Sequence, residues 1–248
     1  MTHNSRLKTL CDIPVLILAG GLGTRLRPIF DSGPKSMAPV GGRPFLEYLF
    51  LKIGESGFRK VLMCVGYGRS QIEAWVGDGT KWGLRVGYSV EPEPLGTAGA
   101  IKFAAEMIDG ETLLVLNGDS FLAVDLWKLV QAHLESKVRA TIALARVRDS
   151  TRYGTVEMTS QGRIKAFLKK RPVVVGSDEW HLVNGGVYVF DRSVLDMVPE
   201  ARAVSLEREI FPQLVEKGVK GFISDGYFID IGLPDDFKRA QTELQERF

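Results

Sequence analysis

The sequence is short of the residues that build cross-linked or metal-cluster proteins. Only 2 of its 248 residues are cysteine and 3 are histidine, which is too few for a disulfide framework, and neither cysteine lies in a metal-type cluster. Cys64 lies inside an apolar run and is expected to be a buried, inert thiol. His133 is expected on a helix surface, and His181 is expected to serve at most in binding. A disulfide scaffold or a zinc-cluster protein is therefore excluded.

Long apolar runs and an excess of one charge are missing as well. No apolar stretch approaches the roughly 20 residues that span a bilayer, and the first dozen residues lack the apolar core of a signal peptide. The 32 Lys and Arg residues balance 30 Asp and Glu residues, which leaves a formal charge of +2. This balance does not suggest a nucleic-acid or membrane partner. We therefore expect a cytoplasmic globular protein.

Apolar β-rich segments alternate with helical patterns over the first half of the chain, which indicates βαβ units and a parallel sheet. The predicted strands are residues 13–19, 61–65, 84–90 and 113–116, and the predicted helices are residues 44–53, 71–76, 98–107 and 126–134. The second half is strand-like at 140–146, 153–158, 164–168 and 182–190, with a closing helix at 237–248. We predict a Rossmann-like, three-layer α/β/α domain (13–248) after an N-terminal tail (1–12). Its mixed, mostly parallel sheet carries a small antiparallel extension for a substrate pocket.

The first predicted strand runs into the glycine-rich segment GGLGTRLRP, residues 20–28. A glycine-rich turn after a strand binds phosphate because backbone N–H groups converge there without obstruction by side chains. The dinucleotide fingerprint is excluded because it needs a glycine where Leu26 stands, and the Walker A loop needs a lysine where Thr24 stands. The segment PKSMAP, residues 34–39, places a second cation, Lys35, near the same loop.

Together these two motifs resemble the sugar-nucleotidyltransferase family, whose members begin with GGxGTRLxP followed by PKxxxP. The resemblance implies the nucleotidyltransferase form of the α/β fold, Mg²⁺ as cofactor, and transfer of a nucleotidyl group to a sugar 1-phosphate with release of pyrophosphate. It implies that Arg25, Lys35 and Asp119 are catalytic. The implied nucleotide-binding residues are Leu18, Ala19, Gly20, Gly21, Gly23, Thr24, Arg25, Glu91, Pro94, Gly96, Thr97 and Asp119.

The segment EPEPLGTAGA, residues 91–100, resembles the part of the family that lines the nucleobase. Guanine presents two adjacent donors, which suit one carboxylate, whereas thymine and uracil present one N–H between carbonyls, which suits an amide. Glu91 therefore favours GTP. The alternative is that Glu91 or Glu93 is a solvated charge at the rim of the pocket.

The segment NGDS, residues 117–120, follows a predicted parallel strand, so Asp119 lies at the carboxyl end where such sheets bind ligands. An aspartate here can instead cap the helix that begins near Asp125. The resemblance makes Asp119 a ligand of Mg²⁺ together with Asp230, which lies in YFIDIGLP, residues 227–234. Two carboxylates completed by substrate phosphates and water suit this ion.

The segments YGTV (153–156) and LVNGGVY (182–188) resemble those that surround the sugar in the family. The implied sugar-binding residues are Gly118, Gly154, Lys170, Asn184 and Gly185. Alternatively, Gly154 marks a strand bend and Asn184 a turn. Family members commonly carry Glu-Lys at positions 169–170, but this chain has Lys169 instead of the glutamate. Another acid then contacts the sugar hydroxyls, the sugar lies differently, or Lys169 points to solvent.

Residues 182–188, SLE (205–207) and 227–237 resemble the branch that activates D-glycero-α-D-manno-heptose 1-phosphate with GTP for surface polysaccharide synthesis. The partners expected are therefore GTP and a sugar 1-phosphate, and a homo-oligomer is left open. The alternatives are guanylyl transfer to mannose 1-phosphate and thymidylyl or uridylyl transfer to glucose 1-phosphate. An alternative of another class is a non-catalytic regulatory subunit that senses nucleotide sugars.

Overall fold

A computed structural model of the chain describes residues 13–168, 179–200 and 202–248; the predicted tail, 1–12, lies outside them. Within this part of the chain the strands are β1 Val15–Leu18, β2 Pro39–Val40, β3 Arg43–Pro44, β4 Lys60–Val65, β5 Arg85–Val90, β6 Thr112–Asn117, β7 Ser120–Leu122, β8 Ala140–Val147, β9 Thr155–Met158, β10 Ile164–Leu168, β11 His181–Asp191, β12 Val219–Ser224 and β13 Phe228–Asp230. The α-helices are α1 Phe45–Glu55, α2 Arg69–Val76, α3 Gly96–Ala105, α4 Leu126–Ser136, α5 Phe211–Val215 and α6 Pro234–Glu243.

The centre of the fold is one mixed sheet of nine strands in the described residues. Its first half is parallel, with β1 between β4 and β6, and β5 beside β4. In its second half β11 runs antiparallel to β6 and β8, and β9 and β10 form an antiparallel pair at the edge. The predicted α/β fold with a mixed sheet and an antiparallel extension is confirmed.

Alternate residues of the central strands pack into two separate cores, one on each face of the sheet. In β1, Val15 and Ile17 join the core that contains α1 and α4, whereas Leu16 joins the core that contains α3 and α5. Strands covered on both faces need apolar residues at every position, which explains the unbroken apolar runs in the sequence. The result is the predicted three-layer arrangement.

Several short elements carry no periodic signal and were not predicted. Strands β7 and β13 have three residues each and pair with one another outside the main sheet. A π-helical turn, Leu206–Ile210, leads into α5. The closing helix begins earlier than predicted, at Pro234, because proline is well suited to the first turn of a helix.

The prediction that His133 lies on a helix surface was wrong. Its ring is buried between α4 and the sheet, where Nδ1 lies 3.0 Å from Thr141 Oγ1 and Nε2 lies 3.2 Å from Asp191 Oδ1. Burial lowers the pKa of His133. Cys64 is buried as predicted, and burial raises the pKa of its thiol. None of the helices in the described residues is long and apolar enough to cross a membrane.

Candidate active site

A cavity of about 470 Å³ opens where the strands β1, β5 and β6 end. The carboxyl ends of parallel strands are where open α/β sheets bind ligands. Every residue assigned above to nucleotide binding lines this cavity: Leu18, Ala19, Gly20, Gly21, Gly23, Thr24, Arg25, Glu91, Pro94, Gly96, Thr97 and Asp119. The wall also contains Lys35, Gly118 and five residues given no role in the sequence analysis: Ser36, Ala100, Asn117, Glu207 and Gly232. Segments far apart in the chain therefore meet at one site.

Two glycines allow backbone segments around the cavity to approach their neighbours closely. A methyl group on Gly118 would lie 2.6 Å from the carbonyl oxygen of Leu18, which accepts the Gly118 N–H at 2.9 Å. Gly23 has a φ of +59°, and a methyl group on it would lie 3.0 Å from Lys35 Cβ. Glycine at both positions allows the backbone to approach its neighbours closely. The glycine-rich loop consequently packs directly against Lys35.

Lys35 is buried between two carboxylates. Its Nζ lies 2.7 Å from Asp119 Oδ2 and 3.5 Å from Asp230 Oδ1, and its side chain is only 9% exposed. Arg25 reaches the same place, because a methyl group on Gly232 would lie 2.5 Å from Lys35 Nζ and 3.3 Å from Arg25 Nη2. Two cations and two carboxylates therefore converge at one end of the cavity, which we call the phosphate end.

The two carboxylates are brought together by the small β7–β13 sheet. Strand β7 follows Asp119 directly, β13 ends at Asp230, and the antiparallel register sets Asp230 opposite Ser120. The Ile231 N–H donates to the Asp119 carbonyl oxygen at 3.0 Å. Asp119 is not the cap of the following helix, since the side chain of Asp125 accepts the backbone hydrogen bond at the start of α4.

The electrostatics of this pair favour a bound cation. Burial raises the pKa of Asp230 above its ordinary value, and the Asp119 charge raises it further, while Lys35 lowers it. The structure has no group of three or more Cys, His, Asp or Glu residues that could hold a metal within the residues it describes. A metal here would take two oxygen ligands from the protein and the others from phosphate or water. Mg²⁺ is commonly bound in this way.

Glu91 lies at the start of the loop between β5 and α3. Its Oε2 accepts the backbone N–H of Leu95 at 3.0 Å, which ties the carboxylate to its own loop, and its Oε1 lies against Gly20. Burial raises the pKa of Glu91, and the Leu95 hydrogen bond lowers it. Glu91 is thus half-buried in the cavity wall and not a freely solvated charge, whereas Glu93 is exposed and outside the wall.

The residues assigned to the sugar are less closely grouped. Gly118 lines the cavity, but Gly154, Asn184 and Gly185 do not. Gly154 precedes β9, where a methyl group would lie 2.9 Å from a carbonyl oxygen of β10. Asn184 lies where the register of β11 against β8 shifts, and its Oδ1 accepts the N–H of Gly186. Lys170 and Lys169 lie outside the described residues.

A buried hydrogen-bond network joins Asn184 to the cavity wall. The fully buried Tyr188 hydroxyl lies 3.0 Å from Asn184 Nδ2, 3.3 Å from Asn117 Nδ2 and 3.2 Å from Glu207 Oε1. Glu207 Oε2 accepts a second hydrogen bond from Thr97 Oγ1 at 2.8 Å. Glu207 entered the sequence analysis only as part of a matching segment. No spacing in the sequence connects it with the other members of the network.

The chain is similar to known proteins over almost its whole length. The family model described as "Nucleotidyl transferase" matches residues 14–247. The chain is 39% identical over 231 residues to D-glycero-alpha-D-manno-heptose 1-phosphate guanylyltransferase of Aneurinibacillus thermoaerophilus, which covers 93% of this chain and 97% of that protein. It is 37% identical over 236 residues to mannose-1-phosphate guanylyltransferase of Mycobacterium tuberculosis, which covers 94% of this chain and 65% of that protein.

A solved structure shares the fold over almost its whole length. The crystal structure of HddC from Yersinia pseudotuberculosis complexed with GMP-PN matches with a TM-score of 0.81 and 29% sequence identity, covering 94% of this chain and 99% of that one. The resemblance noted from the motifs is thereby confirmed at the level of the family and of the fold. The chain belongs to the nucleotidyl transferase family.

Proposed function

We propose that the protein transfers GMP from GTP to a sugar 1-phosphate, releasing pyrophosphate and a GDP-sugar. The observation that carries the proposal is one cavity lined by the glycine-rich loop with Arg25 and by Glu91, Lys35 and Asp119. Asp230 contacts Lys35 at 3.5 Å. D-glycero-α-D-manno-heptose 1-phosphate is the sugar we favour, supported by the relative that is 39% identical over 93% of this chain. A cytoplasmic location fits a reaction that consumes a nucleoside triphosphate.

The proposed reaction needs no side-chain nucleophile, because the phosphate oxygen of the sugar 1-phosphate is already an anion. This oxygen forms a bond to the α-phosphorus of GTP, and the bond from that phosphorus to the β-phosphate oxygen breaks, so that pyrophosphate leaves. The barrier comes from repulsion between anions and from their alignment. Arg25 and Lys35 lie side by side at the phosphate end, where their charges would offset this repulsion.

The site fits Mg²⁺ as the cofactor. Asp119 and Asp230 would hold the ion, because both already approach one cation, Lys35 Nζ, and Asp119 is 39% exposed toward the cavity. When bound, Mg²⁺ would neutralise phosphate charge and help to align the reacting groups. Arg25, Lys35 and both aspartates converge at one place, which favours catalysis over a sensing role. A sensor needs only to bind its ligand, and binding alone does not require this concentration of charge.

GTP is the nucleotide we favour, because Glu91 offers a carboxylate beside the glycine-rich loop. The donor pair of guanine suits such an acceptor better than the single N–H of thymine or uracil. HddC, which shares the fold, was solved complexed with GMP-PN. Mannose 1-phosphate is the second sugar candidate, supported by the relative that is 37% identical over 94% of this chain.

The test is pyrophosphate release with Mg²⁺ across a grid of nucleoside triphosphates and sugar 1-phosphates that includes the heptose, mannose and glucose compounds. We expect turnover with GTP and the heptose compound to exceed that of every other pair. Faster turnover with dTTP or UTP would overturn the nucleotide assignment, and faster turnover with another sugar would overturn the sugar assignment. Silence across the grid, with GDP-sugars still bound in calorimetry, would establish the sensing role instead.

A further inference from the structure

Asp236 is a buried carboxylate that no step of the proposed reaction uses. It lies in the first turn of α6, is fully buried, and does not line the active-site cavity. Its Oδ1 contacts Arg152 Nη1 at 2.8 Å and Arg239 Nη1 at 3.1 Å, and its Oδ2 accepts the Tyr153 hydroxyl at 3.2 Å. Both carboxylate oxygens therefore have partners inside the protein, so this side chain holds other residues and does not bind a substrate.

Neither helix formation nor stability explains a buried charge at this position. An acidic residue in the first turn of a helix suits the helix dipole, and the exposed Asp235 supplies that charge one residue earlier. Taking ions out of water costs about as much free energy as their mutual attraction regains, so a buried ion pair adds little stability compared with apolar residues of the same volume. Such a contact can instead fix one arrangement of the elements that it joins.

The elements joined here are the two that flank the turn between β13 and α6, residues 231–233. Tyr153 contacts both of them. Its ring packs edge to face against Phe228 of β13, with 5.6 Å between the ring centroids, and its hydroxyl donates to Asp236 of α6. Burial raises the pKa of Tyr153, and the charges of Asp236 and Asp230 raise it further, so the phenol keeps its proton and is the donor. One side chain outside the active-site cavity thus connects both ends of the turn.

The turn carries the contacts that fix Asp230. The Gly232 N–H donates to Asp230 Oδ1 at 2.7 Å, and this oxygen lies 3.5 Å from Lys35 Nζ. The Ile231 N–H donates to the Asp119 carbonyl oxygen at 3.0 Å. Gly232 lies close against the charged cluster, because a methyl group on it would be 2.5 Å from Lys35 Nζ. A shift of this turn therefore changes the position of the Asp230 carboxylate relative to Lys35.

Resting on the function proposed above, we infer that Asp236 is a positioning residue, which holds the Asp230 carboxylate in place through the turn 231–233. Arg152 and Tyr153 anchor Asp236 from the segment between β8 and β9, and Asp236 in turn anchors the start of α6. A misplacement of about 1 Å can lower the rate of an enzyme by a factor of about a hundred. An anchor outside the cavity therefore affects catalysis without touching a substrate.

The test is Asp236→Asn, which keeps the shape of the side chain and removes its charge. We expect kcat to fall about tenfold with every substrate pair that wild type uses, as for residues that support a metal ligand from behind. The Mg²⁺ concentration for half-maximal turnover should rise about tenfold for the same reason. Each KM should change less than about threefold, because Asp236 lies outside the cavity. Pyrophosphate release, with each substrate and Mg²⁺ varied in turn, measures all of these quantities.

Hydrogen exchange gives a readout that does not depend on turnover. The N–H groups of Ile231 and Gly232 are both hydrogen-bonded, so a peptide that covers the turn 231–233 should exchange slowly in wild type. In Asp236→Asn this peptide should exchange about tenfold faster, while peptides from the central strands β1 and β4 keep their wild-type rates. Faster exchange in every peptide would show a loss of global stability and would overturn the positioning role.

The matched control is Asp235→Asn, which removes the same charge from the exposed neighbour in the same helical turn. Its kcat, its Mg²⁺ dependence and its exchange at 231–233 should stay within about twofold of wild type, as for most surface substitutions. If Asp236→Asn does not fold, Tyr153→Phe provides the second variant. It removes only the hydroxyl that reaches Asp236 and keeps the ring against Phe228, and the same selective changes should appear at about threefold.

The two readouts separate the positioning role from the proposed function. Wild-type kcat and wild-type exchange at 231–233 in a folded Asp236→Asn variant would overturn the positioning role and leave the transferase function standing. A large rise in one KM with kcat unchanged would also overturn it, because the residue would then act on binding. Failure of wild type to use any sugar 1-phosphate would overturn the function and, with it, a positioning role in that reaction.

Discussion

The two ends of the cavity are built on opposite principles. At the phosphate end the charged groups contact one another, as Lys35 lies between Asp119 and Asp230. At the other end, which we call the recognition end, one carboxylate, Glu207, is surrounded by neutral hydroxyl and amide groups. Concentrated charge suits phosphates and developing charge, whereas directional hydrogen bonds suit the reading of hydroxyl positions. We therefore expect substitutions at the phosphate end to lower kcat with every substrate, and substitutions at the recognition end to change selectivity.

Both ends are assembled from distant parts of the chain, but they differ in the local motifs that carry their side chains. The phosphate end takes Arg25 and Lys35 from glycine- and proline-rich segments. Asp230 ends β13, and its contact with Lys35 spans 195 positions. The recognition end joins α3, β6, β11 and the π-helical turn, and the hydrogen bond between Thr97 and Glu207 spans 110 positions. Its geometry depends on how separate elements pack and not on any one local segment.

Asp119→Asn gives the largest expected effect. The substitution removes a charge that balances Lys35 and would hold Mg²⁺, so kcat should fall by about a hundredfold or more. The loss should be similar for every nucleotide and sugar phosphate that wild type uses. Steady-state pyrophosphate release measures it. Asp225→Asn is the control, because Asp225 is 81% exposed and pairs with Arg146 away from this cluster. Full activity in Asp119→Asn would show that the charge of Asp119 has no role in catalysis.

Gly118→Ala should produce the next largest effect, on stability. The added methyl group would lie 2.6 Å from the Leu18 carbonyl oxygen, so β1 and the turn after β6 must separate, at a cost of about 1–3 kcal/mol. Gly21→Ala is the matched comparison in the same cavity wall, since nothing lies within 4 Å of its methyl group. Its free energy of unfolding should stay within about 0.5 kcal/mol of wild type.

Urea unfolding of the three proteins measures both quantities. Equal stability in the two alanine variants would show that the backbone at Gly118 yields, and that the close approach of β1 and β6 is not what sets the spacing of the phosphate end. The comparison between the two ends would then rest on charge alone.

The contrast between the ends also explains what the sequence could predict. Arg25 and Lys35 lie in contiguous motifs whose chemistry is local, and apolar periodicity located the strands that present them. The pairing of β7 with β13 was missed because three-residue strands have no periodicity. Glu207 was given no role because its partners, Thr97 and Tyr188, are fixed by packing between distant elements. His133 was misplaced because its ring is buried, and Thr141 in β8 and Asp191 in β11 satisfy both ring nitrogens.

Glu91→Gln tests how the nucleotide is recognised, at the part of the cavity wall that follows β5. An amide cannot accept both donors of guanine, but it suits thymine and uracil. The ratio of kcat/KM for GTP to kcat/KM for UTP should therefore fall about tenfold, which corresponds to the loss of one or two hydrogen bonds. The kcat with saturating GTP should change little. The measurement is pyrophosphate release with each nucleotide at a fixed sugar phosphate. Glu93→Gln is the exposed control, and an unchanged ratio in Glu91→Gln would exclude guanine reading by this residue.

The smallest expected effect is on the free energy of unfolding, and it comes from the buried carboxylate of Asp230 at the phosphate end. Burial and Asp119 raise the pKa of Asp230 above 3.8, so the folded state binds its proton more tightly than the unfolded state does. The ionised carboxylate therefore destabilises the fold, and this penalty is absent below pH 3.8 and complete above the raised pKa. Asp230→Asn removes the penalty while its Oδ1 can still accept the Gly232 N–H.

Asp230→Asn should consequently melt at a higher temperature than wild type at pH 7, although its turnover falls. A gain of ~1 kcal/mol would raise the midpoint by about 2–4 °C in a protein of this size. The difference should shrink as the pH is lowered through the raised pKa toward 3.8, which thermal unfolding over a series of pH values from neutral downward measures. A lower midpoint at pH 7 would mean that the attraction between Asp230 and Lys35 outweighs the burial of the carboxylate. The charges of the phosphate end would then stabilise the fold, and the two ends of the cavity would differ in their chemistry and not in their effect on stability.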